Sequence, residues 1–246
     1  MITFYDFASS VPGVTMSINT WKTRYSLNYK QIPYKTEWIE VSDIERVCKK
    51  AGIPPSSKKA DGSDFYTLPA IYDASTNTGV SDSLVIAAYL DKTYPDKPTL
   101  LPAGTEALHA AFVDAFMSKM GSSWRYFTPN ILKLMTPSSA ESFISARSAA
   151  LGKPFLDTLL VGAEREAEWK NIEACLTTVD GWYQKNGGGL FIMGDTPSFS
   201  DFVVGGLLGL GKAISSDMPE WSFVLEWNDG RWRKLGEALD KYSHVG

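Results

Sequence analysis

Two short stretches carry groups whose chemistry follows from residue type and spacing. In Thr67-Leu68-Pro69-Ala70-Ile71-Tyr72-Asp73 a proline cuts an apolar run. Proline has no N–H to give to a ladder, so strand pairing ends there or the peptide bond takes a special geometry. A cis Leu68–Pro69 bond would leave the N–H and C=O of Leu68 free. An extended peptide could then dock on Leu68 as an added strand. Thirteen residues after Pro69, Asp82-Ser83 opens a helix-like run, Leu84-Val85-Ile86-Ala87-Ala88-Tyr89-Leu90. The free N–H groups and the dipole of such a start favour an anion. A backbone edge beside a carboxylate site suits a short acidic peptide.

Other chemistries are poorly supported. The chain has 246 residues, 44% of them hydrophobic and 21% charged, so one or two domains with a sizeable core are expected. A net charge of −4 gives no support to nucleic-acid binding. There is no long apolar stretch for a membrane, and Met-Ile-Thr-Phe-Tyr-Asp is no basic leader, which points to the cytoplasm. Cys48 and Cys175 form no CxxC pattern, and His109 and His244 lack partners at ligand spacing, so no metal is expected.

The elements that must position the two stretches can be taken in order. Ile2 to Phe7 alternates and is β-rich. Ala8 to Met16 reads as a loop. Ser17 to Lys30 has helical spacing at Trp21, Tyr25 and Leu27/Asn28, with Ser17, Asn19 or Thr20 as possible caps. Pro33 to Ile39 reads as a second strand, making a βαβ unit with a parallel pair. A short helix is expected over Ser42–Ala51, a loop over Gly52–Asp64 and a third strand over Phe65–Asp73. A brief fourth strand and the Asp82-Ser83 helix follow. Pro95, Pro98 and Pro102 mark a linker. Beyond it the pattern is helical, at 107–120, 124–135, 141–152, 157–185, 199–210, 219–228 and 231–242.

A βαβ–ββα half, a pre-proline strand, an acidic-Ser helix start and an all-helical remainder together resemble a cytosolic glutathione transferase. Tyr89-Leu90-Asp91-Lys92-Thr93-Tyr94-Pro95 and Leu100-Leu101-Pro102 are similar to that family's domain junction. Ser198 and Asp201, in Gly194-Asp195-Thr196-Pro197-Ser198-Phe199-Ser200-Asp201, match its capping box. Ser17-Ile18-Asn19-Thr20-Trp21-Lys22-Thr23-Arg24 is similar to the etherase-like transferases of wood-decay fungi, the FuA class, and their bacterial β-etherase relatives. The resemblance implies a thioredoxin-like N-terminal domain (1–94), a linker (95–103) and an all-helical C-terminal domain (104–246) carrying the hydrophobic substrate site. It also implies a homodimer.

The resemblance further implies glutathione as cosubstrate and a role for each site residue. Leu68, before Pro69, would pair with the cysteinyl backbone. Ser83 would hold the γ-glutamyl carboxylate, and Asp82, where the family usually has Glu, would orient the γ-glutamyl ammonium. Lys58 or Lys59 are candidates for the glycine carboxylate. Ser17 aligns with the catalytic serine and would stabilise the thiolate, with Ser9 and Ser10 weaker candidates. Lowering a thiol from ~8.5 by about two pH units makes thiolate the major form at pH 7, a change of ~2.7 kcal/mol. Ile18 stands where proline is common, and no cysteine occupies the catalytic position, which argues against thiol-transfer chemistry. Phe116, Met120, Trp124 and Arg125, beside Tyr126 and Phe127, would form an aromatic cleft for flat hydroxylated ligands. The expected activity is conjugation or deprotection of aromatic or aryl-ether electrophiles, a detoxification chemistry. The alternative is a ligandin that sequesters plant-derived polyphenols.

Overall fold

The structure is a computed structural model describing residues 1–246. The first half builds a four-stranded sheet in the order β2 (Tyr34–Ile39), β1 (Ile2–Phe7), β5 (Ala70–Asp73), β6 (Thr78–Ser81). Strand β1 (Ile2–Phe7) is central and pairs parallel with β2 (Tyr34–Ile39), in the register Ile2↔Tyr34 to Phe7↔Ile39. On its other side β1 runs antiparallel to β5 (Ala70–Asp73), which pairs with β6 (Thr78–Ser81). Helix α1 (Ile18–Tyr29) makes the crossover between β1 and β2, as the βαβ pattern implies. Helix α2 (Ile44–Lys50) follows a 3-10 turn at Val41–Asp43 and covers a small cluster with Tyr5, Ile39, Cys48, Leu68 and Ala70. Helix α3 (Ser83–Thr93) ends the sheet half.

Two features of this half depart from the expected pattern. The third strand is shorter than expected: β5 begins only at Ala70, after the proline that cannot donate to the ladder. The expected loop 52–64 instead holds a small hairpin, β3 (Ser57–Lys58) against β4 (Asp64–Phe65). Its Lys59-Ala60-Asp61-Gly62 turn gives Gly62 a φ of +83°, a conformation that suits glycine.

The second half is helical: α4 (Glu106–Lys119), α5 (Trp124–Leu134), α6 (Pro137–Leu151), α7 (Gly162–Gln184), α8 (Phe199–Ile214) and α9 (Trp221–Asp240). Helix α6 starts four residues earlier than expected because Thr136 caps it and Pro137 tolerates the first turn. The two closing helices join in α9, with a break at Trp227–Gly230 where Asn228, Asp229 and Gly230 are left-handed. No helix is long and apolar enough to cross a membrane.

Helix α8 is the centre of the molecule and sets the position of α1. Almost every residue of α8 is buried, so it carries no polar face. Its start is fixed by a capping box between Ser198 and Asp201. Burial raises the Asp201 carboxyl to about 6, although Ser198, Tyr183 and the Ile192 N–H all donate to it. Glycines let α1 lie close against this helix. A Cβ on Gly206 would come 2.6 Å from the Ile18 carbonyl oxygen, and one on Gly209 would come 2.7 Å from the Trp21 ring. Trp21, Tyr25 and Phe202 then stack in series across the contact.

Candidate functional site

The start of α1 is held by a buried ion pair. Arg24 donates to Asp6 Oδ2 through Nη2 (2.9 Å) and to Thr15 Oγ1 through Nε (3.0 Å), while Thr15 donates to the same Asp6 oxygen (2.8 Å). Trp21 Nε1 donates to the Thr15 carbonyl. The end of β1, the incoming loop and α1 are thus tied at one point. Immediately after it, Ser17 caps the helix in an extended conformation (φ −118°, ψ 129°), its Oγ accepting from the Asn19 N–H (3.2 Å). The hydroxyl hydrogen makes no bond within the protein, and the residue is half-buried.

The other wall combines the two stretches that stood out in the sequence. The Leu68–Pro69 bond is cis, and neither the N–H nor the C=O of Leu68 bonds within the chain. Asp82 has φ +74°, uncommon for a residue with a side chain. It caps α3: its Oδ1 accepts from Leu84 N–H (2.9 Å) and Val85 N–H (3.1 Å). That leaves the N–H and hydroxyl of Ser83 without a partner in the protein, at the positive end of the helix.

Between these walls and α4 lies a cleft of about 260 Å³. Leu68, Asp82 and Ser83 line one side; Asn19 and Lys22 of α1 and Met117 of α4 line the other. Asn19, expected only as a possible helix cap, and Lys22 are lining residues that the sequence did not single out. Their i, i+3 spacing put them on one helix face just beyond Ser17, and that spacing was the available signal. Lys22 is only 2% exposed, and burial pushes its ammonium down to about 8 against the opposing field of Asp82. Its Nζ donates to Asn19 Oδ1 (2.8 Å) and lies 3.9 Å from Met117 Sδ.

The expected aromatic cleft needs correction. Phe116 and Met120 are buried in the main core, Phe116 stacking on Phe112. They face inward because Phe116 on α4 and Met120 just past its end fill the helical packing, so they line no open surface. Tyr126 and Phe127 are buried as well, and Trp124 packs half-buried against the same core. Arg125 is exposed and donates through Nε to the Thr158 carbonyl (2.6 Å). Lys58 is paired to Asp64 across the hairpin, and Lys59 is exposed. Ser9 and Ser10 spend their hydroxyls on the carbonyl of Leu134. Tyr5 lies within β1, and its pKa is raised by burial. No group of three or more His, Cys, Asp or Glu is placed to hold a metal ion.

Residues 16–93 match the glutathione S-transferase N-terminal domain, and residues 107–242 match the glutathione S-transferase C-terminal domain. The chain belongs to the glutathione S-transferase family. This glutathione transferase is similar over its whole length to solved fungal structures. A glutathione S-transferase of Ceriporiopsis subvermispora, solved in complex with glutathione, is 39% identical with a TM-score of 0.93, covering 100% of this chain and 98% of that one. The glutathione transferase GSTFuA3 of Phanerochaete chrysosporium is 36% identical with a TM-score of 0.91, at the same coverage of both chains. The glutathione S-transferase-like protein ustS of Aspergillus flavus is 28% identical over 249 residues, 96% of this chain and 88% of that protein. The thioredoxin-like half with a helical half is therefore the transferase fold, of a fungal type.

Proposed function

We propose that the cleft binds glutathione and that the protein transfers it to an aromatic or aryl-ether electrophile by serine-type thiolate stabilisation. The observation that carries this reading is the set of unspent backbone and hydroxyl groups on one wall. Leu68 offers an N–H and a C=O in register for an extended cysteinyl residue. Ser83 offers an N–H and a hydroxyl to the γ-glutamyl carboxylate, reinforced by the α3 dipole. Asp82 keeps Oδ2 for the γ-glutamyl ammonium while Oδ1 caps the helix.

Ser17 then donates its unspent hydroxyl hydrogen to the sulfur. The thiol proton leaves to solvent, a sulfur lone pair forms the new C–S bond, and the leaving group departs with its bonding pair. The electrophile enters from the side of α4. As the family resemblance implies, the protein works as a homodimer, which light scattering tests directly. The reaction is tested by Ser17→Ala with a panel of aryl halide, aryl-ether and peroxide substrates. A hydrogen bond to a charged atom contributes about 1.5–3 kcal/mol, so kcat/KM should fall roughly ten- to hundredfold. Unchanged turnover would remove Ser17 from the mechanism.

A further inference from the structure

Lys22 is a buried cation without an anion. No carboxylate lies within ion-pairing distance of its Nζ, whereas Arg24 and Lys30 on and beside the same helix each have one. Two of its three N–H donors face Asn19 Oδ1 and Met117 Sδ. The remaining one has no partner in the protein. A charge taken out of water this far is costly unless paired. The side chain also lines the glutathione cleft, between the Leu68 wall and α4. The site therefore has room and donor capacity for an anion that the chain itself does not supply.

Bound glutathione carries three anions: the γ-glutamyl carboxylate, the ionised sulfur and the glycine carboxylate, the last at the end of the peptide opposite the γ-glutamyl group. Ser83 already serves the first with two donors at a helix N-terminus. Lys22 rises from α1, the helix that starts at Ser17, and is walled by a thioether, which suits a soft, polarisable anion. Resting on glutathione binding as set out above, we infer that the Lys22 ammonium is a second stabiliser of the glutathione thiolate, held toward the cleft by Asn19. An opposite charge within ~4–6 Å favours the ionised form of its partner, as a thiolate needs. The depressed proton affinity of Lys22 agrees with a cation waiting for that partner. Asp82 across the cleft and Asp114 on α4 are the other charged groups facing it, and neither neutralises it directly.

The test uses Lys22→Met, similar in length and apolar, with Lys22→Arg as the charge-preserving control. The ultraviolet absorbance of the bound thiolate is titrated against pH, and binding of S-methylglutathione, which has no ionisable sulfur, is measured by calorimetry. In Lys22→Met the midpoint of thiol ionisation should rise by at least about one pH unit, and kcat/KM at neutral pH should fall tenfold or more. S-methylglutathione should bind within about twofold of the wild type, which also shows that the variant is folded. Lys22→Arg should restore the low midpoint. An unmoved midpoint in Lys22→Met overturns the inference. So does a tenfold loss of S-methylglutathione affinity, which would assign Lys22 to one of the two carboxylates instead. If the wild type binds neither glutathione nor its S-methyl derivative, the proposed cosubstrate itself is wrong, a result distinct from either outcome for Lys22.

Discussion

Two buried cations stand two residues apart on α1 and meet opposite fates. Arg24 points to the sheet, where Asp6, Thr15, Tyr34 and Thr36 all give it oxygen. It also lies over the rings of Phe4 and Trp38. Lys22 points to the cleft and finds one amide oxygen and one sulfur. The first is a finished network that fixes the geometry of the helix start. The second is left incomplete on the side of the open cleft. A satisfied charge holds structure together, and an unsatisfied one in a cleft is a candidate for function.

Breaking the satisfied charge should have the largest effect. Arg24→Met leaves the Asp6 carboxylate buried with only the Thr15 hydroxyl and the Phe7 N–H as donors. Removing one partner of a buried pair typically costs about 3–5 kcal/mol. The urea midpoint should fall accordingly, and glutathione affinity should fall with it because Ser17 lies only two residues beyond Thr15. A loss below about 1 kcal/mol would mean that the network does not hold the helix start. Lys22→Met should do the reverse in the ligand-free protein and stabilise it at neutral pH.

The size of that reversal depends on pH in a definite direction. Lys22 titrates at about 8 in the folded chain, against 10.5 for an exposed lysine. Between those values the unfolded chain holds the extra proton, so this group's cost is full below pH 8 and fades as pH rises toward 10.5. A difference of that width corresponds to about 3 kcal/mol. Urea midpoints of wild type and Lys22→Met, measured in parallel from pH 7 to 10.5, should converge as pH rises. Tyrosines that titrate in the same range cancel in the comparison. Parallel curves with a constant gap would show that Lys22 carries no such penalty.

The wall made by the backbone was legible in the sequence and the wall made by charge was not. Proline in an apolar run and Asp-Ser before a helix are local signals, and the site they imply uses N–H and C=O groups that every sequence has. The βαβ order and the linker prolines followed from the same local logic. Lys22 looked like any polar residue on a helix start, because its burial depends on Met117, ninety-five positions away. The aromatic cleft failed for the related reason that periodicity places Phe116 and Met120 on an apolar face without saying which neighbour covers that face. Here it is the core around α8. Asp82 was readable as a cap or as a ligand group, and its two oxygens allow both.

The smallest effect separates the amide from the helix cap. Asn19 gives its N–H to Ser17 Oγ and its Oδ1 to Lys22 Nζ. Asn19→Ala keeps the first bond and removes the second. A hydrogen bond to a charged donor contributes about 1.5–3 kcal/mol, and alanine's better helix propensity returns about 0.5, so the net loss should be about 1–2 kcal/mol. In the Lys22→Met background there is no ammonium left to serve, and the same substitution should be neutral or slightly stabilising. The double-mutant cycle thus reads the coupling between the two side chains. Coupling of about 1 kcal/mol or more would show that Asn19 aims the lysine at the cleft. An equal cost in both backgrounds would make Asn19 a helix-start residue only, and would leave the ammonium without a fixed direction toward the sulfur.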